Sequence, residues 1–304
     1  MKVTVVIPVF NERETLAPLA EQAQRYLVLY EHEILFVDDG STDGSAEVLR
    51  TLHARNDDIH VLRFHRNYGK TAALAAGFAR AGGDVVITMD ADLQDDPKEI
   101  PRFIQKIEDG FDVVCGWKTN RRDPWTKILA SRAYNRVTSR LFRLELHDIN
   151  CGYKALRADI AKRLPLRDDM HRLIPVLAAQ LGARIAEIPV EHHARRWGAS
   201  KYGVERFWRG VRDTVTLLLT TRYPRFTRAR LHATAFPTIA IALSCGAGAH
   251  FTLDGLTRIL FSIGCVAGLC AGAVLFVLSR LAHRAARLTI PLDTAPFVAE
   301  ELRH

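Results

Sequence analysis

Short apolar runs rich in β-branched residues alternate with helical patterns along the first two-thirds of the chain, and this alternation limits the possible folds most strongly. Such an order favours an α/β domain with a mostly parallel sheet and helices on both faces. The predicted strands are 3–9, 33–37, 59–64, 84–89 and 112–117, and the predicted helices are 15–29, 44–54, 70–81 and 97–108.

The stretch VVITMDADLQDDP places acidic side chains at the end of a predicted strand. Ligands of open α/β sheets bind beyond the carboxyl ends of the strands. Asp90 and Asp92, with the nearby amide oxygen of Gln94, can supply oxygen ligands to Mg²⁺ or Mn²⁺. The alternative is that Asp92, Asp95 or Asp96 caps the helix that starts at residue 97. A cap does not explain Asp90, the last residue of the strand.

A second acidic pair follows an earlier strand in EILFVDDGSTDGS. Turn chemistry alone accounts for Gly40–Ser45. Two strand ends that carry carboxylate pairs nevertheless predict a shared rim, where Asp38 or Asp39 accepts hydrogen bonds from a base NH or ribose hydroxyls. No GxGxxG or GxxxxGK[ST] follows a predicted strand, which disfavours dinucleotide dehydrogenases and P-loop enzymes.

Two segments without Asp, Glu, Lys or Arg, 231–253 and 259–279, occur in the last third. Each is close to the ~20 residues that cross a bilayer as a helix, although a buried soluble helix has the same composition. Arginines precede the first segment and follow the second, so both ends are predicted to face the cytoplasm. Between about 203 and 222, apolar residues fall on one helical face, which indicates an interfacial amphipathic helix or a helix packed on the soluble domain. We expect a two-helix inner-membrane protein, with helices at about 231–253 and 257–279, and a cytoplasmic catalytic domain.

The formal charge of +8 suggests nucleic acid, an anionic membrane surface or phosphorylated substrates as partners. No nucleic-acid-binding motif is present, and the arginines cluster beside the apolar segments. None of the five cysteines forms a CxxC pair, which argues against zinc and disulfides and fits a reducing compartment.

Five motifs in order, VVIPVFNERETL, VDDGSTDGS, RNYGKTAALAAGF, DADLQDDP and RRWGASKYG, resemble family 2 glycosyltransferases with the GT-A fold, and most of all the dolichol- or polyprenyl-phosphate glycosyltransferases. The resemblance covers about residues 1–222, and the membrane hairpin matches bacterial members. It implies inverting transfer of a sugar from a UDP- or GDP-sugar to undecaprenyl or dolichyl phosphate, with Mg²⁺ or Mn²⁺ as cofactor.

The resemblance also implies roles for individual residues. Asp90 would face the donor, and Asp92 and Gln94 would hold the cation on the diphosphate. Phe10 stands where the family often has Tyr, so a hydroxyl contact is lost there. The predicted nucleotide-sugar contacts are Pro8, Phe10, Glu12, Val37, Asp38, Asp39, Lys70, Asp90, Ala91, Arg196 and Lys201.

The acceptor side is predicted from the same resemblance. Asp148 would lie near the acceptor and position it rather than abstract a proton, since a phosphate is already ionised; a turn or cap is its alternative role. The loop with Arg195 and Arg196 would close over the diphosphate. The predicted acceptor-phosphate contacts are Lys118, Arg121, Arg122, Lys127, Ser131, Arg132 and Ser200, a run that a solvated basic face also explains.

Two rival functions share this fold. A processive polysaccharide synthase would carry QxxRW and more membrane helices, whereas this chain has HARRW and one hairpin. A non-catalytic membrane scaffold would show degraded acidic motifs, whereas DADLQ is intact. The expected division is a catalytic domain over 1–222 and a hairpin over 223–304, ending in a tail that either folds back on the catalytic domain or is disordered. Small residues in the hairpin permit a homo-oligomer.

Overall fold

The computed structural model of the chain describes residues 1–119, 125–193, 210–218, 235–244, 255–285 and 292–303. The strands are β1 Val3–Val9, β2 His32–Asp38, β3 Ile59–Phe64, β4 Val85–Thr88, β5 Val113–Lys118, β6 Lys154–Arg157, β7 Ile185–Val190 and β8 Val298–Leu302. The helices are α1 Arg13–Leu27, α2 Ser45–His53, α3 Lys70–Arg80, α4 Ile100–Glu108, α5 Trp125–Phe142, α6 Ala158–Arg163, α7 Ile174–Gln180, α8 210–218, α9 Ala235–Ser244 and α10 Gly255–Ala285. Short 3₁₀ helices occupy Pro97–Glu99, Met170–Leu173 and Ala295–Phe297.

The strands form one sheet in the order β7-β5-β6-β4-β1-β2-β3-β8. β4, β1, β2 and β3 are mutually parallel, and β5 pairs in parallel with β7. β6 runs antiparallel between β4 and β5, and β8 runs antiparallel to β3 at the edge. The predicted mostly parallel α/β sheet is confirmed, with two reversed strands that the sequence pattern did not indicate.

The central strands are mostly apolar and buried because helices cover both faces of the sheet. Every residue of β1 except Pro8 is buried. α4 shows the matching helical pattern: Ile100, Phe103, Ile104 and Ile107 recur at helical spacing, and all four are buried. These helix and strand faces form one hydrophobic core that fixes the positions of the strand ends.

The predicted elements agree with the observed ones to within a few residues. Helix α1 was predicted at 15–29 and spans Arg13–Leu27. Val28 and Leu29 extend the apolar pattern in the sequence, but they are 73% and 89% exposed. The larger difference is at α10, which was predicted at about 257–279 and continues to Ala285. Helix 97–108 was predicted as one element, and its first turn is 3₁₀ before α4 begins.

The described chain divides into two compact units, Met1–Gly210 with Ile290–His304, and Val211–Thr289. In the second unit, α10 contains a window of 20 residues, Ser262–Leu281, with a mean hydropathy of 2.2, long and apolar enough to cross a membrane. α9 is a shorter apolar helix that packs on the glycine face of α10, where a methyl added to Gly268 would lie 2.9 Å from Ala242 Cβ. The remainder of the predicted helix 231–253 lies outside the described residues.

The tail beyond α10 folds back on the first unit. β8 pairs with β3 from Val61 opposite Leu302 to Phe64 opposite Val298. Of the two possibilities that the sequence left open for this tail, docking on the catalytic domain is therefore the one observed for residues 292–303. The expected domain boundary at residue 222 remains a prediction.

Candidate functional site

The carboxyl ends of three parallel strands meet at one rim of the sheet. Val9 at the end of β1 stands opposite Asp38 of β2, and Val6 stands opposite Thr88 of β4. The Asp39 N–H donates to the Val9 carbonyl at 2.8 Å, which ties the first two strand ends together. The two acidic segments therefore lie side by side, as the rim hypothesis requires.

Asp90 lies at the centre of this rim, and its carboxylate forms an ion pair with Lys70, the first residue of α3. Burial alone would raise the pKa of Asp90, but the charges of Lys70 and Lys118 hold it well below its usual range. A methyl group added to Gly152 would lie 3.0 Å from both carboxylate oxygens. Asp90 is therefore an ionised group held between a lysine and a glycine backbone.

Asp95 joins the same loop to the neighbouring strand. Its Oδ2 accepts from the Asp90 N–H at 3.3 Å, and its Oδ1 lies 3.3 Å from the ammonium of Lys118 at the end of β5. Burial alone would lower the pKa of Lys118, but Asp95, with further charges including Asp90 and Asp148, raises it well above its usual range. Lys118 is therefore a fixed positive charge beside the acidic loop.

Asp92 and Gln94 follow Asp90 on a loop in which Leu93 adopts a left-handed φ of 59°. Asp92 is 7% exposed, and its Oδ1 accepts from the Gln94 N–H at 3.2 Å. The Gln94 Nε2 donates to the His193 carbonyl at 3.1 Å, so Oε1 is the end of that amide suited to a cation. A nearly buried carboxylate with a neighbouring amide oxygen fits Mg²⁺ or Mn²⁺ in donor chemistry.

A second cluster of possible metal ligands includes one residue of this loop, and contacts within the protein account for its charges. Asp96, Glu191 and His193 place possible ligand atoms within 4.8 Å of one another. Lys98 already supplies a positive charge there, 2.7 Å from Glu191 and 3.4 Å from Asp96. Asp96 also accepts from the Lys98 N–H at 3.0 Å and so caps the 3₁₀ helix, as the sequence suggested.

Asp38 and Asp39 are both buried and both hold neighbouring segments in place. Asp38 accepts from the Ser41 N–H at 2.9 Å and lies 3.4 Å from Arg63 of β3. Asp39 accepts from the backbone N–H groups of Tyr68 and Gly69 at 2.6 and 2.8 Å. Burial raises the pKa of Asp39 to about 6 against those two hydrogen bonds, and the charge of Asp38 adds to the rise.

Gly40 lets the VDDGS turn pack against the loop before α3. It has a φ of +71°, and a methyl at this position would lie 2.8 Å from the Asn67 nitrogen and closer still to Arg66. Both the left-handed backbone and the close approach require glycine here. The turn after β2 and the loop that carries Lys70 therefore form one packed unit.

Five further predicted donor contacts within the described residues lie along the same rim. Pro8, Phe10 and Glu12 are partly exposed at the end of β1 and the start of α1. The Asn11 N–H donates to Ser41 Oγ at 2.9 Å, which fixes this turn to the next one. Val37 and Ala91 are buried, so a nucleotide would meet their backbone rather than their side chains.

A cavity of about 690 Å³ opens beside Lys118 and is bordered by α5. Lys118 and Arg132, both predicted as acceptor contacts, contribute to its wall. Arg136 and Arg140 also line it, although they were not selected from the sequence. Arg132, Arg136 and Arg140 recur every four residues, and residues at this spacing share one helix face. This spacing could have indicated the two further arginines from the sequence. The Trp117 and His147 rings, also in the wall, stack with centroids 4.1 Å apart.

Asp148 lies in the wall of the same cavity and is 1% exposed. Its Oδ1 accepts from Asn135 Nδ2 at 2.9 Å, and its own N–H donates to Glu187 at 2.8 Å. The carboxylate therefore links α5 to the loop before β6. These contacts give Asp148 a structural task, and its expected role in positioning the acceptor remains a prediction.

His171 is a further group near the donor rim that the sequence did not single out. Its Nδ1 lies 2.8 Å from the Thr71 hydroxyl, one residue beyond Lys70. Burial lowers the pKa of His171 well below its usual value, and the charges of Lys70 and Arg172 lower it further. A neutral imidazole thus supports the start of α3. No spacing rule predicted this contact, since the partners are separated by 100 residues.

Several predicted contacts cannot be placed on the rim or the cavity. Ser131 is a partly exposed residue of α5, and Lys127 is in the same helix. The residues outside the described part of the chain are Arg121, Arg122, Arg195, Arg196, Ser200 and Lys201.

Known proteins are similar to this chain in sequence and in fold. Residues 4–164 match the family described as glycosyl transferase family 2. The chain is 37% identical over 230 residues to dodecaprenyl-phosphate galacturonate synthase of Rhizobium johnstonii, covering 73% of this chain and 68% of that protein. Glucosyl-3-phosphoglycerate synthase from Mycobacterium tuberculosis, in complex with Mn²⁺, UDP and phosphoglyceric acid, has a TM-score of 0.56 at 20% identity over 72% of this chain and 78% of that one. Its complex with Mn²⁺ and UDP-glucose gives the same values.

The mostly parallel α/β sheet and the likeness to these solved structures show that the chain has a GT-A fold. On the extent of both sequence matches, the chain belongs to the glycosyl transferase family 2, and it is a glycosyltransferase.

Proposed function

We propose that this glycosyltransferase moves a sugar from a UDP- or GDP-sugar to a polyprenyl phosphate at the membrane, with inversion at the anomeric carbon. The observation that carries the proposal is the position of Lys118. Its ammonium lies 3.3 Å from Asp95 of the acidic loop, and its side chain also lines the arginine-bordered cavity. A site for a metal-bound diphosphate and a site for an anionic acceptor therefore adjoin.

The acceptor assignment is supported by the relative and by the apolar helix. The Rhizobium johnstonii relative carries dodecaprenyl phosphate in its name. A phosphate with a polyprenyl chain needs both cationic groups and a bilayer, and this chain has the arginine face of α5 and the long apolar α10. Undecaprenyl phosphate is the acceptor that we propose for a bacterial host.

The residues of the rim divide the chemistry between them. Lys70 and the ionised Asp90 orient the donor sugar and diphosphate, and Asp38 and Asp39 hold the segments against which base and ribose lie. Asp92 and Gln94 would hold Mg²⁺ or Mn²⁺, which when bound supplies Lewis-acid stabilisation to the departing nucleoside diphosphate. Asp148 and the cationic side chains of the cavity hold the acceptor phosphate.

The reaction needs little proton transfer. An acceptor phosphate is already anionic near pH 7, so its oxygen attacks the anomeric carbon directly while the bond to the diphosphate breaks. Rate acceleration then depends on orienting the two anions and on balancing their charge. Lys70 and Lys118 provide fixed positive charge on the donor side and between the two sites, respectively.

Transfer of radiolabel into the organic phase tests the proposal. Detergent-solubilised protein is incubated with Mn²⁺, undecaprenyl phosphate and a panel of labelled UDP- and GDP-sugars. We expect one donor to label the lipid, EDTA to stop the reaction and Mn²⁺ or Mg²⁺ to restore it. Measurable nucleotide binding without transfer from any donor would contradict the acceptor.

Two variants of one loop separate metal binding from folding. Asp92→Asn removes a charged oxygen ligand and should reduce turnover by at least ~100-fold, because the diphosphate loses its counter-charge. Asp96→Asn is the matched control: asparagine caps a helix about as well as aspartate, so this variant should stay within about 1 kcal/mol of wild-type stability and retain most activity. Equal activity of Asp92→Asn and wild type would refute the metal assignment.

The membrane topology forms part of the same proposal: two helices, with both ends in the cytoplasm. Asp254→Cys would place a thiol in the predicted periplasmic connector, and Arg303→Cys would place one in the cytoplasmic tail. An impermeant maleimide should label the first in intact cells and the second only after lysis. Labelling of both in intact cells would contradict the hairpin.

A further inference from the structure

The C-terminal strand β8 reaches the donor rim from the opposite end of the sequence. The His65 N–H, just after β3, donates to the Phe297 carbonyl at 3.0 Å. Arg50 of α2 donates two hydrogen bonds of 3.1 and 2.7 Å to Glu300, and Arg80 of α3 donates one of 3.1 Å to Glu301. The tail is therefore docked by charge-assisted bonds as well as by strand pairing.

Phe297 places its ring in an aromatic cluster at the donor loop. Its ring stacks on Tyr68 with centroids 4.2 Å apart and planes 14° apart. Both rings also meet Phe64 edge-on, at 5.9 Å for Phe297 and 5.7 Å for Tyr68. Phe64 is buried in β3, so the cluster connects the Tyr68 loop to the core.

Tyr68 belongs to the segment that positions the proposed donor groups. Its N–H and that of Gly69 are the two donors to Asp39, and Lys70, the partner of Asp90, follows directly. Gly69 has a φ of +94°, which glycine adopts readily, and because glycine has no Cβ it contributes little rigidity to this loop. Its position therefore depends on Asp39 on one side and on the Phe297 ring on the other.

A second link joins the same strand to Asp38. Glu300 stands opposite Arg63 in the antiparallel register, and the Arg63 Nε lies 3.4 Å from Asp38 Oδ2. The C-terminal tail is thus connected to both carboxylates of the VDDGS segment, to Asp38 through Arg63 and to Asp39 through Tyr68. A strand that served only to cover the edge of the sheet would need neither the aromatic stack nor this link.

From these contacts we infer that Phe297 is a positioning residue of the donor site: it fixes Tyr68, and through it the loop that carries Lys70, so that the C-terminal tail completes the nucleotide-sugar pocket. The consequence for catalysis rests on the proposed function. The effect on the loop itself does not, so the two can be tested separately.

The first experiment measures the loop directly by hydrogen exchange of the full-length protein in detergent. Phe297→Ala should speed exchange of the Tyr68 and Gly69 amides by about 2- to 10-fold, the range for loss of one aromatic pair. Phe297→Tyr keeps the stack and should restore protection. Leu302→Ala is the matched control on β8, five residues further along the tail; it should lower Tm without changing exchange at these two amides.

The second experiment measures the consequence for the donor. With Mn²⁺ present, Phe297→Ala should raise the Kd for UDP or GDP and the KM for the donor sugar by about the same factor as the exchange, while the KM for undecaprenyl phosphate stays unchanged. Unchanged exchange and unchanged donor affinity in Phe297→Ala would overturn the inference. A uniform loss shared with Leu302→Ala would overturn it too, because it would show a merely structural role.

The two claims fail in different ways. If wild-type protein bound no nucleotide and transferred no sugar, the proposed function would fall, and the exchange of the Tyr68 and Gly69 amides would still decide whether Phe297 fixes the loop. If wild type were active and Phe297→Ala matched it in donor KM, the function would stand and the positioning role would not.

Discussion

Substitution of Gly152 by alanine tests whether the exact position of Asp90 matters for transfer. The added methyl would lie 3.0 Å from both Asp90 carboxylate oxygens. An unstrained contact needs about 3.5 Å, so the carboxylate must retreat by roughly 0.5 Å. The three atoms nearest to this methyl all belong to the Asp90 side chain, and Gly152 has no positive φ, so the backbone gains no strain.

The magnitude follows from this displacement. If a misplacement of 1 Å costs about 100-fold in rate, one of roughly 0.5 Å costs about 10-fold. We expect the kcat of Gly152→Ala to fall by that factor, while the Tm changes by only a few degrees. Asp90 can yield because its partner Lys70 is a flexible side chain.

The assay is radiolabel transfer under saturating donor and acceptor, with Tm measured on the same preparation. Gly264→Ala is the control, because a methyl there meets no atom within 4 Å. An unchanged kcat in Gly152→Ala would show that the Asp90 carboxylate does not need its observed position. A collapse of Tm would show that the loop before β6 cannot yield, which would refute the displacement argument.

Three further predictions concern the two sides of the site. The pKa of Asp39 is raised to about 6, so ionisation of this carboxyl costs stability as the pH rises from about 4 to 6. Relative to Asp39→Asn, the wild type should therefore lose up to about 3 kcal/mol of stability between pH 4 and 7. The difference in Tm between the two proteins should change over this range, and a constant difference would contradict the prediction. Gly40→Ala places a side chain at a left-handed φ and in a clash with Arg66, so it should lower the free energy of unfolding by about 2 kcal/mol or more and weaken nucleotide binding. A Tm equal to that of wild type would refute the packing of the two turns. Arg136→Ala should raise the KM for undecaprenyl phosphate about 10-fold with donor KM unchanged, whereas Arg163→Ala on α6 should change neither; equal effects of the two would remove Arg136 from the acceptor site.

The sequence was sufficient to predict the central part of the fold. Strands β1 to β5 carry apolar runs that are continuous because both faces are buried, and their boundaries were predicted within about two residues. β6 has only four residues and β8 reads VAEEL, in which the two glutamates break the apolar run. Short or edge strands of this kind are specified by partners distant in the chain, so no local pattern indicates them.

The same distinction holds for the site. Asp38, Asp39, Asp90 and Asp92 could be predicted because acidic residues at strand ends of one parallel sheet must share a rim. The contacts of Gly152 with Asp90, His171 with Thr71 and Phe297 with Tyr68 join residues from different parts of the fold. Such contacts depend on how loops cross the rim, and a single sequence does not reveal them.

The pairing of β8 with β3 also sets the order in which the protein can mature. β3 leaves the ribosome early, whereas its edge partner is made only after α10. At 5–20 residues per second, the N–H and C=O groups along this edge wait on the order of ten seconds or more for their partner. An open strand edge invites pairing with other chains during that interval. Completion of the sheet therefore follows synthesis of the apolar helix, so that a nascent chain acquires the complete form of the proposed donor pocket only after α10 has been made.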